Sequence, residues 1–493
     1  MHAIAVSSRG LCAKNDILSL QETTLFCRSF LSTIRPRSPT LKFSNVSSLK
    51  FGKFNNRSCR PCLPSAIAIS CSDMAESLDF DVVIVGAGII GLTIAREFLL
   101  ESDLSVAIVD AGIPCSGATG AGQGYIWMIH KTPESHKWDL AVRSKQLWEA
   151  LVDSVQHSGM DPLKKLGWKK TGSLLIGRAP EELALLEERV KRLSEAGLRA
   201  EFLSSNDLHL KEPELEVSKE SGAAFLPDDC QLDAHHTVAF IEEGNRSFAS
   251  HGRYAEFYHD PVHCLIRSSQ NGEVQAVQTS KKVLYCKKAV IIATGAWTRP
   301  LIQNLLSHSE ILLDVPVKPR KGHLLVLENF NQIQLNHGLM EVGYVDHQIA
   351  DSAMVDHEHR LTSISMTATS DMMGNLLLGS SREFCGFSTE TEESIIQRIW
   401  ERAGEFLPNL KQFSLLNFSS SRKVRVGLRP YSTDGKPFIG PVPGLSKVFL
   451  ATGHEGEGLC MALGTAEMVA DMVLGRTFKV DPAPFSVQGR CCR

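Results

Sequence analysis

The chain has 493 residues, 43% of them hydrophobic, and a formal net charge of −3 at pH 7. This composition supplies enough apolar surface for a large core divided into two or three domains, and it excludes a chain that is disordered over most of its length. The balanced charge provides no electrostatic basis for binding nucleic acid, and the apolar run 82–95 is too short and too rich in glycine to span a membrane.

The first 73 residues differ in composition from the rest of the chain. They are rich in Lys, Arg and Ser, and they contain few acidic residues. A segment of this kind without a long apolar stretch is typical of an organelle transit peptide. We therefore expect residues 1–73 to be a disordered leader that directs the protein to the chloroplast. The alternatives are a mitochondrial leader and a disordered tail without a targeting role.

A glycine-rich turn follows the first predicted strand. Its spacing, Gly86-x-Gly88-x-x-Gly91 between a strand and a helix, is the fingerprint of a dinucleotide-binding site. The three glycines allow a tight turn, a close approach of backbone N–H groups to a pyrophosphate, and close packing of the helix on the strand. The next predicted strand ends at Asp110, where an acid that binds a ribose belongs.

A second loop rich in small residues, 116–124, directly follows this βαβ unit. It contains Thr119 and Gly120. Because the loop adjoins Asp110 at the carboxyl end of a strand, we expect it to pack against the phosphates and ring of the bound molecule. The alternative is a flexible surface loop.

Helical and strand-like spacing continues through the middle of the chain. Helices are predicted at 92–100, 134–155, 181–197, 233–250, 389–406 and 459–474. Strands are predicted at 82–85, 106–109, 171–176, 262–267, 274–279, 283–286, 289–293 and 448–451, with a hairpin of strands at 364–368 and 376–380. Thr389 and Glu392 are spaced to form a capping box at the start of the helix 389–406.

A second glycine-rich segment lies far along the chain from the first. It contains Gly427-Leu-Arg429-Pro430, Asp434-Gly435 and a run from Gly453 to Gly458 that precedes the last predicted helix. Two such segments near opposite ends of the chain indicate that both contact one bound molecule. We interpret that molecule as FAD.

Over residues 79–485, the order and spacing of these motifs resemble the FAD-dependent oxidases and dehydrogenases of the D-amino-acid oxidase family, with its glycine oxidase and sarcosine oxidase branches. The matching segments are Gly86–Gly91, Asp110, Ala293-Thr-Gly-Ala-Trp297, Gly427–Pro430, Asp434-Gly435 and Gly453-His454. The resemblance implies an α/β fold with a Rossmann-like FAD-binding domain and a mixed, mainly antiparallel β-sheet substrate domain. On this basis we assign 79–160, 231–305 and 422–485 to the FAD-binding domain, and 161–230 and 306–421 to the substrate domain.

The resemblance also implies particular site residues. Cofactor contacts are expected from Gly86, Gly88, Ile89, Ile90, Gly91, Asp110, Thr119, Gly120, Gly295, Trp297, Gly453, Gly456, Glu457 and Gly458. Arg429 matches the arginine that pairs with the substrate carboxylate in amino-acid-oxidising relatives, and a guanidinium suits a carboxylate. The alternative role for Arg429 is a structural ion pair. His454 and His323 are further candidates for the catalytic site, with a structural histidine as the alternative, and no metal site is predicted.

Two departures from the family pattern bear on the chemistry. The segment 427–434 has no Cys, whereas the sarcosine oxidase branch attaches FAD covalently there, so we predict non-covalent FAD. At no position that aligns does the sequence show the pocket tyrosine of D-amino-acid oxidases. A strict D-amino-acid oxidase assignment is therefore not supported.

The resulting prediction is a FAD-dependent oxidoreductase that oxidises the C–N bond of a small amine or amino acid by hydride transfer to the flavin. The electron acceptor is O₂ or another carrier. One alternative is a 2-hydroxy-acid dehydrogenase of the same fold, which the same arginine could serve. Another is a non-catalytic, FAD-bound assembly factor. No nucleic-acid partner and no integral membrane segment are expected.

Overall fold

The computed structural model describes residues 76–307, 309, 311–345 and 362–491. The predicted leader, 1–73, lies outside these residues. In chain order the strands are β1 (Glu76–Val85), β2 (Val106–Val109), β3 (Tyr125–Ile126), β4 (Ser173–Gly177), β5 (Glu201–Leu203), β6 (Gly222–Leu226), β7 (Cys230–Gln231), β8 (Tyr254–Phe257), β9 (Val262–Arg267), β10 (Val274–Thr279), β11 (Lys282–Ile292), β12 (Val317–Leu327), β13 (Gly338–Glu341), β14 (Ser363–Ser370), β15 (Leu376–Arg382), β16 (Arg422–Ser432), β17 (Phe438–Pro441) and β18 (Val448–Thr452). The α-helices are α1 (Ile89–Glu101), α2 (Trp138–His157), α3 (Pro162–Leu166), α4 (Pro180–Glu195), α5 (Ser205–Lys211), α6 (Ala234–Arg246), α7 (Thr298–Leu305), α8 (Glu393–Phe406) and α9 (Gly458–Leu474).

The first sheet has a core of parallel strands in the order β18, β11, β1, β2, β8. The strand β17 pairs antiparallel at one edge, and the β9–β10 hairpin extends from β11. Both faces of β1 are buried. Val82 and Ile84 pack with the helices α1 and α9, while Val83 and Val85 pack on the side of β9, β10 and α7. A parallel strand covered on both faces explains the nearly continuous apolar run in this part of the sequence.

The second sheet is mainly antiparallel, in the order β16, β12, β15, β14, β13, β4, β6, β5, with a single parallel pair between β13 and β4. Its outer face is covered by α8, whose Ile395, Ile399 and Trp400 pack against Leu325 and Leu327 of β12. The two sheets confirm the predicted α/β fold with a Rossmann-like part and a mainly antiparallel part.

Strand pairing differs from the sequence expectation at β16. The sequence placed 422–485 with the FAD-binding domain, but β16 pairs with β12 along its whole length, from Ser432 opposite Val317 to Arg422 opposite Leu327. The strand that carries Arg429 is therefore an edge of the second sheet. Only the later part of that stretch, with β17, β18 and α9, belongs with the first sheet.

Two local predictions of secondary structure were wrong. The helix α8 begins at Glu393, and its N-cap residue Glu392 makes no side-chain cap bond, so the predicted capping box is absent. The predicted strands 283–286 and 289–293 form one strand, β11, because a bulge opposite 80–82 accommodates the lysine pair that interrupts the apolar pattern. Within the described ranges, no helix combines the length and the apolar character needed to cross a membrane.

Candidate active site

A cavity of about 780 Å³ lies where the carboxyl ends of β1, β2 and β11 face the second sheet. This volume is within the range of roughly 300–1,000 Å³ that is typical of small-molecule and cofactor sites. Both glycine-rich segments line it. The walls are formed by parts of 85–90, 109–125, 260–262, 293–304, 322–324, 427–430 and 451–459, together with a few single residues from the second sheet and its loops.

The first glycine-rich turn has a conformation that side chains would prevent. Gly86 has φ +115°, and a Cβ there would lie 2.5 Å from the carbonyl oxygen of Ala293. A Cβ on Gly91 would lie 1.9 Å from the carbonyl oxygen of Gly86. The helix α1 begins immediately after Gly88 and has no acidic residue in its first turn. Its positive end is therefore placed beside the cavity, where a pyrophosphate would bind.

Asp110 connects this turn to the end of β2. Its Oδ2 accepts a hydrogen bond from the backbone N–H of Ala87 (2.6 Å), and its Oδ1 accepts one from Gly112 (2.7 Å). Each carboxylate oxygen has two lone pairs, so each retains capacity for a further donor. Asp110 borders the cavity, which is the position expected of an acid that binds a ribose.

The loop 116–124 lies against both sheets. Thr119 Oγ1 accepts a hydrogen bond from the N–H of Ile89 (3.2 Å), which joins the loop to the start of α1. Gln123 Nε2 donates to Thr369 Oγ1 (3.1 Å), and Gln123 Oε1 accepts from Thr367 Oγ1 (3.0 Å), which joins the loop to the second sheet. The loop is thus fixed at the junction rather than being a free surface loop.

Most of the predicted cofactor residues border the cavity. They are Gly86, Gly88, Ile89, Ile90, Asp110, Thr119, Gly295, Trp297, Gly456 and Gly458. Gly91, Gly120, Gly453 and Glu457 are not among the residues that border it. Gly120 faces its own loop, since a Cβ there would lie 2.2 Å from the carbonyl oxygen of Cys115.

Glu457 does not border the cavity, and its carboxylate is surrounded by cations. Its carboxylate lies 2.5 Å from the Nζ atoms of both Lys131 and Lys137, and 3.6 Å from His130 Nε2. Although burial alone would raise the pKa of this carboxyl, the neighbouring cations hold it well below its usual value. The carboxylate of Glu457 therefore anchors the start of α9 to the segment before α2. The predicted contact of Glu457 with the cofactor stays a prediction.

Arg429 borders the cavity from the edge strand β16. Its Nη1 donates to the carbonyl oxygen of Ser381 (3.0 Å), and its Nε lies 4.0 Å from Glu455 Oε1. The guanidinium lies over Gly322 of β12, where a Cβ would be 2.4 Å from Nη1. Burial lowers the pKa of Arg429 from its ordinary value, while Glu455 opposes this shift.

The side chain of His323 lies on the other face of the second sheet. Arg320 of β12 pairs directly opposite Arg429, so His323, three residues further along, points to the opposite face. Its Nδ1 lies 2.9 Å from Ser381 Oγ, and burial lowers its pKa. His323 borders the cavity at β12, but its ring is not on the face that carries Arg429. This placement favours a structural histidine over the predicted catalytic one.

His454 borders the cavity and bonds back to helix α9. Its Nε2 lies 2.9 Å from Thr465 Oγ1, and burial lowers its pKa to about 4. The ring is therefore neutral at pH 7. It is placed to hold the turn between β18 and α9 rather than to donate a proton.

Two functional candidates escaped the sequence reasoning. Tyr344 borders the cavity close to Arg429 and Gly456. Glu455 also borders the cavity and pairs with Arg320. Neither residue has a spacing that identifies it, because each reaches the site only through the pairing and turns of the fold.

No group of three or more His, Cys, Asp or Glu side chains in the described part of the chain could hold a metal ion. Ser380 Oγ is buried, has no hydrogen-bond partner among the described residues, and belongs to a residue that borders the cavity. It is available to a bound molecule.

Parallel strands, a glycine turn at a helix N-terminus and a ribose-binding acid define a dinucleotide-binding protein in which a second sheet covers the bound molecule. The DAO family model, described as FAD dependent oxidoreductase, matches residues 81–472. The chain belongs to this family, and its cofactor is FAD.

Individual relatives agree with this assignment. The chain is 26% identical over 429 residues to a glycine oxidase from Pseudomonas aeruginosa, covering 83% of this chain and 99% of that protein. The crystal structure of glycine oxidase from Geobacillus kaustophilus is similar with a TM-score of 0.67 at 23% identity, covering 83% of this chain and 99% of that one. The crystal structure of L-proline dehydrogenase from P. horikoshii is similar with a TM-score of 0.68 at 18% identity, covering 84% of this chain and 97% of that one. These structures share the fold.

The residues present fit FAD. The glycine turn and the start of α1 suit the pyrophosphate, and Asp110 suits a ribose. The turn at Gly456 and Gly458 brings the start of α9 to the cavity, so that the positive end of this helix faces the bound group.

Proposed function

We propose that the protein oxidises a C–N bond in a small amine or amino acid that carries a carboxylate. The observation that carries this proposal is the position of Arg429. Among the described residues its guanidinium donates to a single acceptor, the carbonyl oxygen of Ser381, and it borders the cavity. A guanidinium has five N–H donors, so the remaining donors suit a carboxylate ligand.

The chain contributes binding and orientation to this chemistry. When bound, FAD accepts the two electrons that leave the substrate. With its carboxylate on Arg429, the substrate presents its amine-bearing carbon inside the cavity. The ammonium nitrogen loses one proton to water and the carbon loses hydride, which leaves an iminium ion. Water hydrolyses this ion to a carbonyl compound and ammonium, or an alkylammonium ion where the nitrogen is substituted. Such a reaction depends on orientation more than on a dedicated base.

Two titratable side chains at the cavity, His454 and Tyr125, are consistent with a reaction that uses no dedicated base. His454 is neutral at pH 7 because burial lowers its pKa. Burial also raises the pKa of Tyr125 well above 10, so that its hydroxyl remains a hydrogen-bond donor. These two side chains form part of the cavity wall, and neither has a pKa suited to accepting a proton from the substrate at pH 7.

We also propose that FAD is held non-covalently. Cys115 borders the cavity, but burial raises the pKa of its thiol to about 12. The thiol therefore stays protonated, and a protonated thiol is a poor nucleophile. FAD should be released when the protein is denatured in acid.

The substitution Arg429→Ala tests the proposal. It should weaken the binding of carboxylate substrates by about 10- to 100-fold, because a charge-assisted hydrogen bond contributes about 1.5–3 kcal/mol, while FAD stays bound. The measurement is the anaerobic reduction of the flavin by a panel of amino acids and 2-hydroxy acids. Arg422→Ala is the control, since Arg422 lies on the same strand but pairs with the exposed Glu393.

The panel also separates the alternatives. Reduction by 2-hydroxy acids but not by amines would contradict the proposal and favour the dehydrogenase alternative. No reduction by any member, together with a silent Arg429→Ala variant, would favour an assembly factor that retains FAD.

A further inference from the structure

Glu455 lies between β18 and α9, where the chain passes the cavity. Its backbone has φ +51°, a left-handed conformation that residues other than Gly, Asn and Asp rarely adopt. The carboxylate contacts the second sheet. There Oε1 accepts a hydrogen bond from Arg320 Nε at 3.0 Å and lies 4.0 Å from Arg429 Nε.

The carboxylate of Glu455 is held in place by hydrogen bonds but keeps a free acceptor site. Its Oε1 accepts from Nε and Nη2 of Arg320, and its Oε2 accepts from the backbone N–H of Gly456. A carboxylate offers about four acceptor sites, so Oε2 retains one. The side chain is 17% exposed, which keeps this charge in a region of weak solvent screening. The cavity therefore holds a fixed anion next to the cation that we propose binds the substrate carboxylate.

This pairing of charges matches one class of ligand. In an α-amino acid the amino group is attached one carbon away from the carboxylate. When that carboxylate binds Arg429, the amino group lies close to the Glu455 carboxylate, whose Oε1 is 4.0 Å from Arg429 Nε and whose Oε2 retains an acceptor site. A plain carboxylate or a 2-hydroxy acid brings no positive charge to Glu455, and its own charge is repelled by it.

We propose that Glu455 determines specificity by recognising the amino group of a zwitterionic α-amino acid while Arg429 holds the carboxylate. This inference rests on the proposed function and names its substrate class. Glu455 acts in binding, as the anionic half of a two-charge site. It selects amino acids against the corresponding deaminated acids.

The test compares Glu455→Gln with the wild-type protein, both full length and loaded with FAD. The probes are two matched pairs, glycine with acetate and L-proline with cyclopentanecarboxylate, titrated anaerobically against the flavin absorbance. The variant should bind the amino acid of each pair about tenfold more weakly, because the substitution removes the attraction between Glu455 and the ammonium group. It should bind the deaminated acid more tightly, because the substitution removes the repulsion between Glu455 and the ligand carboxylate. Opposite directions within a pair are a signature that loss of structure would not produce.

Two further variants complete the design. Glu393→Gln removes the same charge at the surface of the second sheet, where Glu393 pairs with Arg422, and should leave both members of each pair unchanged. Glu455→Asn tolerates the left-handed backbone and gives the same readout if the Gln variant fails to retain FAD.

A shift of both members in the same direction, or no shift, would overturn the role of Glu455 while the proposed function stands. If no amino acid in the panel binds or reduces the wild-type flavin, the proposed function fails, and the assignment of Glu455 fails with it.

Discussion

Arg429 and Glu455 illustrate, at the scale of single residues, what could be predicted from the sequence. Arg429 was found because it stands in a motif with recognisable spacing, Gly427-Leu-Arg-Pro430. Glu455 stands between glycines that were also predicted. Its role was not visible, because its partners Arg320 and Arg429 come from two other strands that only the fold brings together. Local spacing identifies glycines and turns, and it does not identify ion pairs across a cavity.

For the two histidines, the sequence left a catalytic and a structural role open. His454 and His323 were candidates because titratable side chains near a cofactor often take part in catalysis. In the structure both rings are buried and hydrogen-bonded to hydroxyl groups, and burial lowers both pKa values. Burial of a ring and the face of a strand on which it lies depend on tertiary structure, which sequence spacing does not determine.

The low pKa of His454 makes stability depend on pH. The folded ring has a pKa of about 4, compared with 6.5 as its ordinary value. Between these pH values the unfolded chain binds a proton that the folded chain does not, so this group favours unfolding as the pH falls below 6.5. The variant His454→Asn has no titrating group at this position and so lacks this dependence of stability on pH. Relative to the variant, the wild type should lose about 3 kcal/mol of unfolding free energy between pH 7 and pH 4.

Denaturant unfolding of both proteins across this pH range measures that difference. A gap between the two unfolding free energies that stays constant from pH 7 to pH 4 would show that the ring is not held neutral.

At the scale of elements, the strand β16 and the loop 116–124 both line the cavity and lie in close contact. A Cβ on Gly427 would lie 2.7 Å from Ala121 Cβ, so the strand and the loop approach more closely than any other residue at that position allows. The sequence marked Gly427 as part of a motif. It did not show that the motif serves this contact, because the partner loop is far away in the chain.

The substitution Gly427→Ala should therefore force the strand and the loop apart. We expect a loss of about 1–3 kcal/mol in stability, as for other overpacked sites, and weaker retention of FAD. Thermal unfolding and the FAD content of the purified protein measure both effects. Adding Ala121→Gly removes the opposing methyl group and should restore most of the loss. A double variant with the same stability and FAD content as the single variant would show that the contact with Ala121 is not the cause of the loss.

The boundaries of elements were predictable where the apolar pattern is regular. The strands β9 and β10 match the predicted ranges, and the hairpin of β14 and β15 is present where expected. The start of α8 was wrong because Thr389 has the spacing of a capping residue but instead borders the cavity, in the loop before the helix. A threonine that borders a cavity and a threonine that caps a helix can have the same spacing in the sequence.

At the scale of the whole molecule, the two glycine-rich segments were sufficient to predict one cavity shared by both ends of the chain. Each motif is local, and the known fold of dinucleotide-binding units brings them together. The pairing of β16 with the second sheet was not predicted, because an edge strand is chosen by long-range register with β12. The consequence is that Arg429 reaches the cavity from the second sheet, opposite the FAD-binding turn.

The most direct test of this account is to purify the protein, record its visible spectrum, and add amino acids in the absence of oxygen. The purified protein should be yellow, its FAD should be released by acid, and its flavin bands should bleach when an α-amino acid is added. A protein that contains no FAD and takes up none, or whose flavin no amine or amino acid reduces, would contradict it.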